Sequence, residues 1–93
     1  MSPRPASRVS QLIVEVRLFG PQARAVGAHS VQVKLHRPPA TVASLRDALR
    51  DQVPELRATL AGSRLALDHE YASEDQIIGE RQEVALIGMV GGG

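Results

Sequence analysis

Residues 41 to 53, TVASLRDALRDQV, decide the fold because they contain the one extended helical pattern of the chain. Apolar residues recur there at the three- to four-residue intervals of one helix face, at Val42, Leu45, Leu49 and Val53. Thr41 stands just before them, where its side chain can cap the helix. Pro54 ends the pattern, because proline has no backbone N–H with which to continue a helix. We therefore expect a single amphipathic helix.

Strand patterns flank this helix on both sides. Leucine or valine recurs at every second position in four segments, residues 12 to 19, 31 to 36, 65 to 67 and 84 to 86, which is the period of a strand. Residues 22 to 26 predict a single helical turn that Gly27 closes, and residues 56 to 60 a further short turn. Ile77 and Ile78 are read as a short bridge.

The resulting order is strand, strand, helix, strand, strand, with one main helix to cover one face of a sheet. This order predicts an α+β fold of the β-grasp (ubiquitin-like) type, a mixed sheet packed on one main helix. A ferredoxin-like fold is disfavoured, because it needs a second full helix. The positions that should face the helix are Val14, Val16, Leu18, Val31, Val33, Leu35, Leu65, Leu67, Val84 and Leu86.

The same alternation leaves Ile13, Phe19, Ala85 and Ile87 on the opposite face of the sheet. In a β-grasp fold the first and last strands are parallel neighbours, so Phe19 and Ile87 should end side by side. Exposed apolar residues next to the chain terminus predict a docking patch for a partner. The alternative is that Phe19 closes a second small core beneath Pro21 and Val26.

Composition excludes several function classes. The 93 residues allow one domain, and Phe19 and Tyr71 are the only aromatic residues, so the core must be aliphatic. A net charge of +1 gives no strong attraction to nucleic acid or to anionic lipid. The absence of cysteine excludes disulfides, thiolate metal ligands and a cysteine nucleophile. No apolar run reaches the length of a membrane span, and we expect a cytoplasmic protein.

The residue pattern contains no recognisable catalytic or metal-binding motif. His29, His36 and His69 lie in separate segments without the spacing of metal ligands, so no metal site is predicted. Asp68, His69 and Ser73 are too close in sequence to form a hydrolase triad. No glycine-rich nucleotide-binding motif occurs.

The two ends of the chain are expected to be tails around a domain of residues 11 to 87. Residues 1 to 10 are rich in proline, serine and arginine, which is typical of a disordered segment; a very short transit peptide is the alternative. Residues 88 to 93, GMVGGG, can extend about 20 Å from the domain. Glycines pass through narrow slots, and the reactive group that they present is the α-carboxylate of Gly93. A frayed end or a cloning remnant is the alternative.

Four stretches together resemble the small subunit of molybdopterin synthase, in the MoaD/ThiS family of ubiquitin-like sulfur carriers. They are residues 16 to 27 (VRLFGPQARAVG), 41 to 49 (TVASLRDAL), 67 to 72 (LDHEYA) and 83 to 93 (EVALIGMVGGG), and the resemblance spans residues 12 to 93. It implies that an E1-like, MoeB-like adenylyltransferase uses ATP to adenylate Gly93. A sulfur donor then forms a thiocarboxylate, and a MoaE-like large subunit uses the sulfur to build the molybdopterin dithiolene.

The resemblance also implies particular residue roles and an assembly. Gly92, Gly91, Val90 and Met89 would thread Gly93 into the active sites of both partners. Tyr71 would join Phe19 and Ile87 in contacting a partner. The carrier would hold no cofactor stably, would be non-catalytic alone, and would form a heterotetramer with the large subunit in molybdenum cofactor biosynthesis.

Three features depart from the family pattern. The tail lacks the prolines common before the terminal glycines, and Asp68 stands where asparagine is frequent. The usual Asp-Gly-Asp turn is replaced by residues 80 to 82, so we expect Gly79 to supply a positive φ there. Two alternatives to a molybdopterin synthase subunit stay open. One is a ubiquitin-like modifier, and the other is a sulfur carrier for thiazole biosynthesis, cysteine biosynthesis or tRNA thiolation.

Overall fold

The computed structural model describes residues 11–36 and 40–88. Its strands are β1 (Gln11–Arg17), β2 (Ser30–His36), β3 (Ser63–Leu67), β4 (Glu70–Tyr71) and β5 (Val84–Gly88). Its helices are α1 (Gly20–Val26), α2 (Val42–Gln52) and α3 (Arg57–Leu60), and a 3₁₀ turn at Pro54–Leu56 leads into α3. None of these helices has the length and apolar composition needed to cross a membrane.

The five strands form one mixed sheet in the order β2-β1-β5-β3-β4. Strands β1 and β5 are parallel, with Val16 opposite Val84, and the other neighbouring pairs are antiparallel. The first and last strands therefore lie side by side at the centre of the sheet. This topology, with α2 packed on one face, is the predicted β-grasp arrangement.

The core lies between α2 and the inner face of the sheet. The predicted inner positions of the strands are buried, except that Val31 is only partly buried. Val42, Leu45 and Leu49 of α2 are completely buried against them. Because these side chains are aliphatic, burial of apolar surface is the main source of stability.

Both ends of α2 are held by specific hydrogen bonds. At its start, the Thr41 hydroxyl accepts from the Ser44 N–H (3.2 Å) and the Ser44 hydroxyl accepts from the Thr41 N–H (2.8 Å), which forms a capping box. At its end, the Gln52 Oε1 accepts from the Lys34 N–H (3.0 Å) and the Gln52 Nε2 donates to the Lys34 carbonyl (2.9 Å). Gln52 therefore connects the helix to edge strand β2.

The turns differ partly from expectation. Gly27 closes α1 with a φ of 80°, as predicted, and Ile77 forms an isolated bridge with Thr41. Gly79 does not have a positive φ, so that prediction is wrong. The non-glycine residues with positive φ are instead Asp68 and His69, at 51° and 72°, in the hairpin between β3 and β4.

The predictions for the chain ends fall mostly outside the described residues. Residues 1 to 10 and 89 to 93 are not described. Strand β5 includes Gly88, the first residue of the predicted C-terminal tail. Gly88 is therefore part of the sheet rather than of a tail.

Candidate functional site

Exposed apolar side chains mark the outer face of the sheet, opposite α2. Phe19 is 49% exposed and Tyr71 is 52% exposed. With the half-buried Ile87 they line a shallow depression of about 270 Å³. We call Phe19, Tyr71 and Ile87, together with Ala66 and Ala85 between them, the outer patch. The structure thus brings together the three residues that the sequence assigned to partner binding.

Strand register explains how the outer patch forms. Ala85 lies opposite Arg17 of β1 on one side and opposite Ala66 of β3 on the other. Tyr71 of β4 is in turn opposite Ala66. The two alanines are small, so the larger side chains around them leave a depression that a partner's apolar side chain can fill. Since Phe19 is half exposed, it does not form the enclosed second core considered above.

Charged side chains border the outer patch. The Arg64 guanidinium lies 4.6 Å from the centroid of the Tyr71 ring, a cation–π contact that restrains the ring. The carboxylate of Glu83 lies 2.7 Å from the His69 Nε2 and 3.9 Å from an Arg17 guanidinium nitrogen. The side chains of Arg17, His69 and Glu83 are each more than half exposed, so they form a polar rim rather than a buried cluster.

A second depression lies beside the end of β5. It has a volume of about 550 Å³, and its lining includes Pro21, Ala58, Gly62 and Gly88 together with the side chain of Gln22. We call it the Gln22 groove. It shares Phe19 and Ile87 with the outer patch. Gln22 is 2% exposed, although a glutamine in a short helix normally indicates a polar surface.

The C-terminal residues assigned to chemistry lie outside the described part of the chain. These are Met89, Val90, Gly91, Gly92 and Gly93. Their point of departure, Gly88, lines the Gln22 groove next to Phe19 and Ile87. Gly88 therefore lies beside the two residues, Phe19 and Ile87, that the two depressions share.

Residues 11–36 and 40–88 contain no group of three or more histidine, cysteine, aspartate or glutamate side chains able to hold a metal ion. His69 is paired with Glu83 alone among the salt bridges of this part of the chain.

Residues 16–93 match the ThiS family, and the chain belongs to that family. Its fold is that of the ubiquitin-like MoaD/ThiS sulfur carriers, which confirms the resemblance drawn from the sequence. A comparison with curated proteins gives no significant match.

Solved structures with the same fold include small archaeal modifier proteins and subunits of molybdopterin-converting factor. SAMP1 from Haloferax volcanii is 26% identical, with a TM-score of 0.73 over 87% of this chain and 99% of that one. A putative molybdopterin converting factor subunit 1 from Pyrococcus furiosus is 17% identical, with a TM-score of 0.72 over 85% and 99%. A complex of subunits 1 and 2 of molybdopterin-converting factor from Helicobacter pylori gives 22% identity and a TM-score of 0.61 over 88% and 100%.

Proposed function

We propose that this protein is a cytoplasmic sulfur carrier that serves as the small subunit of a molybdopterin synthase. The observation that carries the proposal is the position of the outer patch. Phe19 and Ile87 adjoin Gly88, where the C-terminal segment of a ThiS-family chain begins. A partner bound to the patch is therefore placed to receive the tail.

The chemistry takes place at the carboxylate of Gly93. A free carboxylate is a poor acyl donor, so an E1-like partner uses ATP to attach AMP to it and releases pyrophosphate. A sulfur donor then displaces AMP, which leaves a thiocarboxylate. The carrier's own contribution is to present this group on a chain narrow enough to enter two active sites.

The proposed acceptor is a MoaE-like large subunit. The Helicobacter pylori structure is a complex of subunits 1 and 2 of molybdopterin-converting factor, and its chain shares the present fold. By analogy we assign the outer patch to the large subunit, which would use the sulfur to form the dithiolene of molybdopterin within a heterotetramer. The apolar centre and charged rim of the patch are typical of such an interface.

The similarity to SAMP1 favours a second candidate function. SAMP1 is a small archaeal modifier protein, and it is 26% identical to this chain. In this alternative, Gly93 would form an isopeptide bond with a lysine of a target protein. The same adenylated carboxylate would serve, but the nucleophile would be an amine instead of a sulfur donor.

Intact mass spectrometry separates the two functions. The chain is expressed in its own host and purified together with any proteins attached to it. A mass gain equal to the replacement of one oxygen by sulfur supports the carrier, whereas a series of lysine-linked conjugates supports the modifier. An unmodified chain in the presence of its adenylyltransferase and sulfur donor contradicts both.

Deletion of Gly93 tests whether tail length sets the position of the reacting group. The shortened chain still ends in two glycines, so adenylation remains chemically possible. Its reach decreases by about 3.3 Å, and a misplacement of only ~1 Å can lower a rate about a hundredfold. We expect sulfur transfer to fall by about that factor or more, with folding and large-subunit binding retained. Normal product formation would show that the third glycine is only a spacer.

A further inference from the structure

The side-chain amide of Gln22 is held in one orientation by two hydroxyl groups. Its Nε2 donates to the Ser63 Oγ and, at 3.5 Å, to the Thr59 Oγ1. The Ser63 hydroxyl itself donates to the Thr59 carbonyl (2.7 Å), and the Thr59 hydroxyl donates to the Leu56 carbonyl (3.2 Å). Because both hydroxyl protons are used in this way, the hydroxyls can only accept from Gln22. The nitrogen of the amide must therefore face them.

The other amide atom, Gln22 Oε1, is left without a donor. It is fully buried and accepts no hydrogen bond from residues 11–36 or 40–88. Buried polar atoms in folded proteins normally have a partner, because an unpaired acceptor loses its hydrogen bonds to water without replacement. The missing donor must come from elsewhere in the chain, from a binding partner or from a water molecule.

The C-terminal segment starts next to this oxygen. Gly88 lies opposite Ser63 in the sheet, and a Cβ atom built on Gly88 would lie 3.8 Å from the Gln22 amide atoms, including Oε1. The next backbone N–H groups of the chain belong to Met89 and Val90. They are therefore the closest donors in sequence to the place where a donor is missing.

The Gln22 groove also suits the segment in chemistry. Five residues follow Gly88, and fully extended they span at most about 17 Å. Met89 and Val90 are the apolar members of this segment, and the groove offers Phe19, Pro21 and Ala58 as apolar lining.

We propose that the Gln22 groove binds the chain's own residues 89 to 91 in the free protein. Gln22 Oε1 accepts a backbone N–H from Met89 or Val90, and the side chains of these two residues cover the apolar lining. The terminal glycines then remain beside the domain until a partner on the outer patch displaces the segment. If the segment is docked about nine-tenths of the time, the apparent dissociation constant of a partner for the tail rises about tenfold.

Solution NMR of the free, full-length chain tests this directly. We expect amide hydrogen exchange of Met89 or Val90 to be slowed at least about tenfold relative to an unstructured peptide, the factor for a segment docked roughly nine-tenths of the time. We also expect nuclear Overhauser contacts from the Met89 methyl group to Ala58 and Pro21.

Ala58 and Ala61 are both exposed and lie three residues apart in sequence, so they provide a matched pair of variants. Ala58→Arg fills the groove, so it should remove both the exchange protection and the methyl contacts. Ala61→Arg places the same charge on an exposed residue that does not line the groove, so it should leave them unchanged. Gln22→Met removes the acceptor at similar volume, and it should abolish the exchange protection if circular dichroism shows that the fold is retained.

The proposal is overturned if, in the unsubstituted chain, the amides of Met89 and Val90 exchange as fast as in an unstructured peptide and the Met89 methyl group shows no contacts to Ala58 or Pro21. Shifts at Ala58 that appear only when the large subunit is added would assign the groove to that partner instead. Shifts that depend on protein concentration would assign it to a second copy of the chain. The NMR measurement on the free chain involves neither sulfur transfer nor a partner. A negative result there therefore does not bear on the sulfur-carrier proposal.

Discussion

The two faces of the sheet are built from the same strands and yet differ in how far their apolar side chains are buried. On the inner face Leu45 and Leu49 of α2 are completely buried against the strands. On the outer face Phe19 and Tyr71 remain about half exposed. Neighbouring residues of one strand point to opposite faces, so a single segment supplies both the core and the outer patch. From this comparison we predict that substitutions on the inner face change stability and that substitutions in the outer patch change partner binding.

The largest expected effect is on the inner face. Leu49→Ala should lower the free energy of unfolding by ~2 to 5 kcal/mol, because it removes a fully buried side chain and leaves a cavity. Urea unfolding followed by circular dichroism measures the change. Ile13→Ala is the matched control on the outer face, where Ile13 is 59% exposed, and it should change stability by about 0.5 kcal/mol or less. Equal losses in the two variants would mean that the faces are not divided as described.

The next effect concerns binding at the outer patch. Phe19→Asp should weaken large-subunit binding by about 30-fold or more, the range of an interface hot spot. The fold should persist, because Phe19 occupies the N-cap position of α1, where aspartate is favoured. Isothermal titration calorimetry measures the affinity, and Ile13→Asp places the same charge on the same face away from the patch. Unfolding of Phe19→Asp would place Phe19 in the core instead.

A smaller effect is expected at the cap of α2. Thr41→Ala removes the hydroxyl that accepts from the Ser44 N–H and should cost about 1 kcal/mol. Ser73→Ala is a hydroxyl control that should cost less, since the Ser73 hydroxyl donates to the exposed Asp75 carboxylate (2.8 Å). Urea unfolding compares the two. A loss from Thr41→Ala as large as that from Leu49→Ala would mean that burial does not dominate the inner face.

The smallest effect is expected at the charged rim of the outer face. Glu83→Gln removes an exposed ion pair with Arg17 and changes the exposed contact with the His69 Nε2, and exposed contacts of this kind contribute about 0.5 kcal/mol or less. The free energy of unfolding should therefore change little, and the difference should shrink further in high salt. A loss as large as that of Thr41→Ala would show that the rim supports the fold.

Most of the fold could be predicted because its signals are periodic. The alternation in β1, β2 and β5 and the helical spacing in α2 each follow from burial of one face. Strand β4 was missed, because two residues are too short for any alternation to be visible. Its hairpin turn places Asp68 and His69 at positive φ, where glycine or asparagine would have been the recognisable signal.

The error at Gly79 has a related cause. The sequence reading placed a special backbone conformation in the turn before β5. The structure holds this region with side chains instead: the Asp68 carboxylate accepts from the Glu83 N–H (2.9 Å) and from the Gln82 Nε2 (3.2 Å). These are contacts between residues distant in sequence, which local turn preferences do not report.

The candidate site was predictable only in part, for the same reason. Strand parity located Phe19 and Ile87, whereas Tyr71 was assigned only through the family resemblance. Gln22 was missed altogether, because its burial depends on Thr59 and Ser63, which lie 37 and 41 residues away in sequence. No local pattern distinguishes such a glutamine from one on the surface.

The hydrogen bonds between Gln52 and Lys34 have a consequence for solubility. Strand β2 forms one edge of the sheet, and an open edge of seven residues is a template on which another chain can add a strand. The amide of Gln52 already occupies the N–H and the carbonyl of Lys34 in the middle of that edge. The last residue of α2 thus blocks one backbone position in the middle of this edge. We expect this contact to lower the tendency of β2 to pair with a strand of another copy of the chain.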